Sequence, residues 1–245
     1  TLDVALVRGR TLRGLVRTVR ERAPRAIVAL DNTWGAGIAF NAFELGQGLG
    51  VDLTIHALTK YPSGGGDVLM GSVTCRDQAL YERLALSRSR IGHGVGANDV
   101  ELVLRGLPSI HLRYAAQDAA ARTFAAWCQQ QSAFKRVLHP ASSGSPGHDH
   151  WASHCSAAAG LVTAEIDPQF SKTQVDAFVD ALKLFHIGWS WAGPISLAVP
   201  YDPKLLREGA CPYEGQLVRF CIGLEAVDDL IADAAQAASS SLRLG

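Results

Sequence analysis

Short apolar runs that alternate with amphipathic segments are the feature that most constrains the fold of this chain. The apolar run at 26–30 ends at Asp31 and follows the segment 11–23, in which leucine and valine recur at helical spacing. Such a run is typical of a strand buried on both faces of a parallel sheet. Two more strands and a helix are predicted downstream, at 51–57, 69–74 and 77–90. Helices and strands in this order indicate an α/β domain.

The second half of the chain has a different pattern. Residues 98–131 predict a long helical segment interrupted at Pro108, and the polar segment 139–151 predicts an exposed loop. Predicted strands and helices then alternate, with strands at 160–166, 195–200 and 217–225, and helices at 171–185 and from Val227. This half predicts a smaller α+β domain. The sequence is therefore divided into a domain at 1–97 and a second domain at 98–245.

Composition excludes several classes of protein. Of the 245 residues 48% are hydrophobic, and 23 basic side chains balance 23 acidic ones, so the net charge supports neither a nucleic-acid partner nor an anionic membrane surface. No apolar stretch approaches the roughly 20 residues of a membrane helix. The N-terminal apolar segment, interrupted by arginine, is too short for a signal peptide and is expected to form an ordinary helix rather than a transit peptide. Five cysteines without CxxC pairs are typical of a cytoplasmic protein.

Two side chains follow predicted strands at positions where chemistry is common. Asp31 lies just beyond a strand, where open α/β sheets bind ligands, although the same position also suits a turn closed by an aspartate side chain. Lys60 is one of only five lysines and precedes a glycine run. Partial burial there favours the neutral amine that reacts with an aldehyde. The alternative is a strand-end lysine that extends its ammonium group into solvent.

Other candidate motifs are weaker. The glycine runs at 64–66 and 46–50 match no phosphate-binding pattern and are interpreted as turns. No metal site is expected from the spaced histidines His148, His150 and His154, because they lie in a polar loop with no acid placed to orient them. Cys221 lies inside an apolar strand and is interpreted as a core residue.

Six segments occur in an order that is far more specific than any single residue. They are VALDNTW (28–34), ALTKY (57–61), GGGDVLMGS (64–72), LRGLP (104–108), WSWAGPISL (189–197) and RFCIGLE (219–225). The series resembles the Cys/Met-metabolism family of pyridoxal-phosphate enzymes, and within it the bacterial cystathionine β-lyases. The resemblance implies an α/β fold of the type I, aspartate-aminotransferase-like class. The chain would form part of its large cofactor-binding domain together with the C-terminal α+β domain.

The resemblance also implies a role for each matching residue. Asp31 would keep the pyridinium nitrogen of pyridoxal 5′-phosphate protonated, and Thr59 would contact the cofactor phosphate. Lys60 would attach the cofactor covalently and then, once released, take the α-proton of the substrate. A further three positions, Ser190, Trp191 and Arg219, would receive the substrate α-carboxylate, with Arg219 as a bidentate clamp.

The implied function is a carbon–sulfur lyase that cleaves cystathionine or a related cysteine conjugate by β-elimination. The alternatives are a γ-replacement enzyme of the same family, such as a cystathionine γ-synthase or a sulfhydrylase, and a non-catalytic fragment. Family members are usually homo-oligomers, either dimers or tetramers built from dimers. Two departures weaken the phosphate contacts: Gly64-Gly65-Gly66-Asp67 replaces the usual Gly-His-Ser-Asp, and Ala57 replaces a common serine. The family's N-terminal arm, phosphate-binding glycine loop and ring-stacking tyrosine are expected to precede Thr1.

Overall fold

The computed structural model describes residues 12–206 and 211–243 of the chain. These residues divide into two compact units. The first unit comprises 12–111 and 149–157, and the second comprises 112–148, 158–206 and 211–243. The division at residue 97 that the sequence suggests stays a prediction.

Eight helices and eight strands lie in the described residues, together with a 3₁₀ turn at Leu107–Ser109. The helices are α1 (Leu12–Arg22), α2 (Gln78–Arg90), α3 (Ala97–Gly106), α4 (Ile110–Cys128), α5 (His148–Ala152), α6 (Lys172–Asp180), α7 (Pro203–Leu206) and α8 (Val227–Ser241). The strands are β1 (Ala29–Asp31), β2 (Leu53–Ala57), β3 (Gly71–Cys75), β4 (Phe134–Leu138), β5 (Leu161–Ile166), β6 (His186–Ile187), β7 (Leu197–Tyr201) and β8 (Leu217–Cys221).

A three-stranded sheet in the order β1-β2-β3 forms the centre of the first unit. Strands β1 and β2 are parallel, with Asp31 in register with Ile55, and β3 is antiparallel to β2. The amphipathic helix α1 buries Val16 in a small core that Leu30 of β1 also contacts. The parallel pair therefore ends at Asp31 and Ala57, on neighbouring strands.

The burial predicted for β1 is wrong. Ala29 and Asp31 are exposed, and the preceding Ile27 is 47% exposed. Only the side of the strand that carries Leu30 packs against the α1 core, whereas Ile55 and Val73, on the face that carries Ala29 and Asp31, are 39% and 52% exposed. The apolar character of the run thus exceeds what the described residues bury.

The second unit is built on a five-stranded sheet in the order β4-β5-β8-β7-β6. Its core is aromatic: Phe124 of α4 lies with its ring centroid 5.0 Å from that of Phe220 on β8, and Phe178 and Phe185 join the same cluster. Strand β4 was not predicted, because its sequence FKRVL places two basic residues within five. The helix predicted at 171–185 ends earlier, at Asp180.

The segment 139–151, predicted to be an exposed loop, is partly buried. His139 is 1% exposed and Ser145 is 9% exposed, and the segment ends in helix α5. Burial lowers the pKa of His139 to about 4, against the opposing effect of the nearby Asp118 carboxylate. The imidazole is therefore buried in its neutral form.

Acid should destabilise the second unit through His139. The unfolded chain binds a proton at the ordinary histidine pKa near 6.5, and the folded chain does so only near 4. The free energy of unfolding should therefore fall as pH drops from about 6.5 to 4, by about 3 kcal/mol in total. Urea unfolding at several pH values measures this decrease. The His139→Leu variant should flatten it, and His186→Gln, which changes an exposed histidine of the same unit, should not.

Candidate active site

Asp31 ends β1 with its side chain folded back onto the following residues. Its Oδ1 accepts hydrogen bonds from the backbone N–H of Thr33 (3.0 Å) and from the Thr33 hydroxyl (2.6 Å). This is the turn closed by an aspartate side chain that was one of the two interpretations of the position. The second oxygen, Oδ2, takes no part in either bond. The turn and a binding role for Asp31 are therefore compatible.

Thr33 fastens the end of β1 to the end of β2. Its hydroxyl oxygen accepts a hydrogen bond from the backbone N–H of Ala57 at 2.9 Å. The backbone N–H of Asn32 donates to the carbonyl of Ile55 at 2.9 Å. The Asp31 carboxylate and the turn that begins after Ala57 are consequently held at adjacent positions on one edge of the sheet. Thr33 lies within the VALDNTW segment, but the sequence indicated no role for it.

Lys60 lies in a tightly wound turn. Its N–H donates to the carbonyl of Ala57 at 3.1 Å, and its carbonyl accepts from the N–H of Gly64 at 3.1 Å. The neighbouring Tyr61 is fully buried and anchors the turn, whereas Thr59 and Lys60 themselves are half-buried. The sequence order threonine, lysine, tyrosine thus places one buried aromatic ring directly beside two polar side chains that are partly accessible.

The glycine run after the lysine continues this turn. Gly64 and Gly66 have φ angles of 73° and 71°, which favour glycine over other residues. A Cβ on Gly65 would lie 2.5 Å from Oδ1 of Asp67. The interpretation of the run as a turn is therefore confirmed.

His56 is a neighbour of the site for which the sequence offered no signal beyond its place in a strand. Burial lowers its pKa, and the negative charge of Asp31 acts in the opposite direction. Its Nε2 atom is buried without a hydrogen bond. The Asp31 carboxylate therefore acts on a half-buried imidazole at this edge of the sheet.

Helix α3 supports the lysine turn through a direct backbone contact. A Cβ on Gly106 would lie 2.2 Å from the carbonyl oxygen of Ser63 and 2.5 Å from that of Pro62. Any side chain at this position must therefore displace the helix or the turn. The glycine of the LRGLP segment is explained by this close approach.

The Gly106→Ala variant should lose stability and shift the lysine turn. Overpacking against backbone typically costs about 1–3 kcal/mol, because neither the helix nor the turn has a flexible side-chain end that can yield. Urea unfolding measures the loss. Gly94→Ala is the matched control, since nothing lies within 4 Å of a Cβ built there. Equal stability of the two variants would contradict the contact.

The predicted carboxylate-binding residues lie in the second unit. Arg219 is on β8, and its Nη2 donates to the carbonyl oxygens of Trp189 (2.7 Å) and Ser190 (3.2 Å). Its guanidinium carbon lies 5.6 Å from the centroid of the Tyr201 ring. The Nε atom is buried without a hydrogen bond. The two carbonyls orient the guanidinium through Nη2, and a guanidinium is a group that binds planar carboxylates.

Ser190 and Trp191 lie on the loop that Arg219 contacts. Trp191 is 6% exposed, so its ring belongs largely to the interior of the unit, whereas Ser190 is exposed. The structure thus brings Ser190, Trp191 and Arg219 together in the second unit. It places Asp31, Thr59 and Lys60 in the first unit. Cys221 is 1% exposed, which confirms its interpretation as a core residue.

The histidine-rich segment has an ordinary structural role. His148 begins α5, and its Nδ1 lies 2.9 Å from the carbonyl oxygen of Pro140. Within the ranges that the structure describes, no group of three or more His, Cys, Asp or Glu side chains is placed to hold a metal ion. No helix in these same ranges is long and apolar enough to cross a membrane.

The chemistry of the first-unit groups fits pyridoxal 5′-phosphate. Oδ2 of Asp31 can accept a hydrogen bond from a protonated ring nitrogen, and the hydroxyl of Thr59 can donate to a phosphate oxygen. The amine of Lys60 can condense with an aldehyde. These three functions are held on one sheet edge by the Thr33 bonds. The residues present are therefore of the types that this cofactor requires.

Comparison with solved structures defines the class of protein. A methionine gamma lyase from Micromonospora echinospora superposes with a TM-score of 0.79 at 27% identity, over 91% of this chain and 57% of that one. The fold is that of the type I pyridoxal-phosphate-dependent enzymes, of which this chain forms a part. The Cys/Met metabolism PLP-dependent enzyme family matches residues 10–239, and the chain belongs to that family.

Two curated relatives illustrate the range of reactions among similar chains. The cystathionine beta-lyase of Salmonella typhimurium is 33% identical over 225 residues, which are 90% of this chain and 56% of that protein. The L-alanine/L-glutamate racemase of Wolbachia pipientis is 30% identical over 89% of this chain and 53% of that protein. The chain spans about half the length of the curated relatives it matches.

Proposed function

We propose that the protein is a pyridoxal-phosphate-dependent carbon–sulfur lyase. Its reaction is the β-elimination of cystathionine or a related cysteine conjugate, in which the Cβ–S bond breaks to give a thiol such as homocysteine and an aminoacrylate. Water then hydrolyses the aminoacrylate to pyruvate and ammonia. The observation that carries the proposal is the pair of hydrogen bonds through Thr33, which hold Asp31 and the Lys60 turn at the ends of neighbouring strands. The family and the lyase relatives support the same chemistry.

Each site residue of the first unit has a separate task in this reaction. Pyridoxal phosphate, when bound, supplies an electron sink that stabilises negative charge at the substrate α-carbon. Asp31 keeps a proton on the ring nitrogen through Oδ2, while Thr33 fixes the carboxylate through Oδ1. Lys60 provides the amine that anchors the cofactor and then accepts the α-proton at Nζ. Thr59 donates its hydroxyl hydrogen to the phosphate.

Residues of the second unit bind the amino-acid part of the substrate. Arg219 receives the α-carboxylate on its guanidinium, which the loop carbonyls orient through Nη2. Ser190 contacts the same guanidinium through its carbonyl oxygen, and Trp191 follows it in the loop. The Tyr201 ring packs beside Arg219 and keeps it from turning away.

Product analysis tests the reaction directly. The protein is loaded with pyridoxal phosphate and incubated with L-cystathionine, and pyruvate and homocysteine are quantified. We expect both products in equal amounts. Transfer of a thiol onto an activated homoserine ester, without pyruvate from cystathionine, would instead establish the γ-replacement alternative.

Racemisation of alanine is assayed in parallel, because one relative bears a racemase name. If no cofactor binds and no product forms, the chain is a non-catalytic fragment.

The Arg219→Ala variant should separate substrate binding from cofactor binding. Loss of a charge-assisted bidentate contact should weaken binding of the amino acid by about tenfold to a hundredfold, since such bonds contribute about 1.5–3 kcal/mol. The visible absorbance of the bound cofactor should be unchanged, because Arg219 is assigned to the α-carboxylate of the substrate and not to the cofactor. Titration with L-cystathionine measures the first effect and a spectrum the second. Loss of cofactor absorbance would contradict the assignment.

We also propose that the protein is a cytoplasmic homo-oligomer. None of the five cysteines forms a disulfide, as expected in a reducing compartment. The family resemblance supports dimers or tetramers of dimers. Sedimentation equilibrium of the purified protein distinguishes these states from a monomer, and cell fractionation tests the location.

A further inference from the structure

Buried polar side chains bracket the loop 189–196 at several points, although the proposed reaction assigns a role only to Ser190 and Trp191. Gln117 projects from α4 and is 1% exposed. Its Nε2 donates to the carbonyl oxygen of Gly193 at 2.8 Å and to that of Ile222 at 3.1 Å. A single buried amide thus joins the middle of the loop to the residue that follows β8.

A second connection lies at the far end of the loop. Ser196 is fully buried, and Glu225 accepts from its backbone N–H (2.7 Å) and from its hydroxyl (2.8 Å). The Ser196 hydroxyl oxygen in turn accepts from the N–H of Gly223 at 2.8 Å. A Cβ on Gly223 would lie 2.4 Å from the Glu225 carboxylate, so the backbone approaches as closely as glycine permits. Glu225 is half-buried, and its carboxylate fixes this end of the loop by accepting both hydrogen bonds from Ser196.

The loop between these two connections has an uncommon backbone conformation. Ala192 has a φ of 64° and is 2% exposed, and its N–H donates to Sγ of Cys221 at 3.1 Å. An L-residue in this region persists only when its surroundings hold it there. The same loop presents the Trp189 and Ser190 carbonyls to Arg219. The position of the loop therefore determines the direction of the guanidinium.

We propose that Gln117, Ser196 and Glu225 are positioning residues that orient Arg219 for a carboxylate by fixing the loop 189–196. The inference rests on the proposed function only for the identity of the anion that Arg219 receives. The contacts that orient Arg219 are a property of the second unit alone. None of the three residues needs to touch the substrate. Their effect is transmitted through the carbonyls of Trp189 and Ser190.

Gln117 and Gln131 each donate a hydrogen bond from Nε2 to a backbone carbonyl, so their leucine variants form a matched pair. Gln117→Leu removes the two bonds to the loop and to Ile222. Gln131→Leu removes a bond of the same kind, from Nε2 to the Trp127 carbonyl at 3.1 Å, which does not involve the loop. Gln117→Glu keeps the shape of the side chain but cannot donate to either carbonyl as a carboxylate. Urea unfolding identifies any variant that fails to fold.

The first readout is structural and needs neither cofactor nor activity. Nitrogen-15 NMR of the whole chain follows the Arg219 Nε–H signal and the exchange rate of the Ala192 amide. We expect Gln117→Leu and Gln117→Glu to shift the Arg219 signal and to speed Ala192 exchange at least about tenfold, as loss of a buried hydrogen-bonded support implies. Gln131→Leu should leave both unchanged. Unchanged signals in both Gln117 variants would overturn the proposal.

The second readout uses L-serine as a probe with the cofactor-loaded protein, followed by visible absorbance. Binding should weaken about tenfold or more in the Gln117 variants and less than about twofold in Gln131→Leu, with cofactor absorbance unchanged. Normal L-serine binding despite an altered loop would contradict the positioning role. If the wild-type protein binds no L-serine, the proposed substrate site fails, and the NMR comparison alone decides whether the three residues orient Arg219.

Discussion

Replacing Lys60 with alanine should abolish both the visible absorbance of bound cofactor and the release of pyruvate. The other described lysines, at 135, 172, 183 and 204, lie in the second unit, so Lys60 is the only lysine among the described residues of the first unit. The loss should be at least about 10³-fold in turnover, because one amine serves both as covalent anchor and as proton acceptor. Absorbance spectra and a pyruvate assay measure the two effects.

Two further variants make the Lys60 result specific. Lys60→Arg retains the positive charge but not a nucleophilic amine, so it should be as inactive as the alanine variant. Lys172→Ala removes an exposed lysine that pairs with Asp176 on α6, and it should behave as the wild type. Activity in Lys60→Ala equal to that of Lys172→Ala would refute the role of Lys60.

Replacing Asp31 with asparagine should lower turnover far more than it lowers cofactor affinity. The asparagine side chain can still accept the two Thr33 bonds, so the local turn is preserved. It carries no negative charge to hold a proton on the ring nitrogen. An adjacent opposite charge commonly shifts a pKa by 1–3 units, which corresponds to a loss of about 10²-fold in turnover. Steady-state kinetics and cofactor titration of the same variant measure the two quantities.

The Asp31→Ala variant serves as a comparison, since it also releases Thr33. The stability that Asp31→Ala loses beyond Asp31→Asn measures how much the bonds between Asp31 and Thr33 contribute to the free energy of unfolding. Because Thr33 connects β1 to β2, the first unit of the alanine variant should unfold at a lower urea concentration than that of the asparagine variant. An asparagine variant with wild-type turnover would refute the electrostatic role of Asp31.

The candidate residues could be identified from the sequence because each lies in a short motif that also contains the turn on which the residue is placed. Asp31 was recognised from its place after an apolar run, and the structure shows it at the end of β1. Lys60 was recognised from the scarcity of lysine and the glycine run beside it. The role of Thr33 was not predicted, because a hydroxyl that joins two strands acts across 24 residues of sequence. Gln117 was not predicted for the same reason, since its partners lie 76 and 105 residues away.

Burial was the quantity that the sequence predicted least well. Apolar composition predicted a doubly buried β1, yet Ile27 is 47% exposed. Polar composition predicted an exposed segment at 139–151, yet His139 is 1% exposed. Both errors arise because burial depends on which elements pack nearby, and local composition does not contain that information. Strand β4 was missed because its pairing with β5 outweighs the low strand preference of Lys135 and Arg136.

We expect pyridoxal phosphate, when bound, to be attached to the first unit through Lys60. The most direct measurement is reduction of the cofactor-loaded protein with borohydride, followed by proteolysis and mass spectrometry of the peptides. The reduced cofactor adduct should be found on the peptide that contains Lys60, with no adduct on the peptides of Lys135, Lys172, Lys183 or Lys204. An adduct distributed among several lysines, or found on a peptide without Lys60, would contradict it.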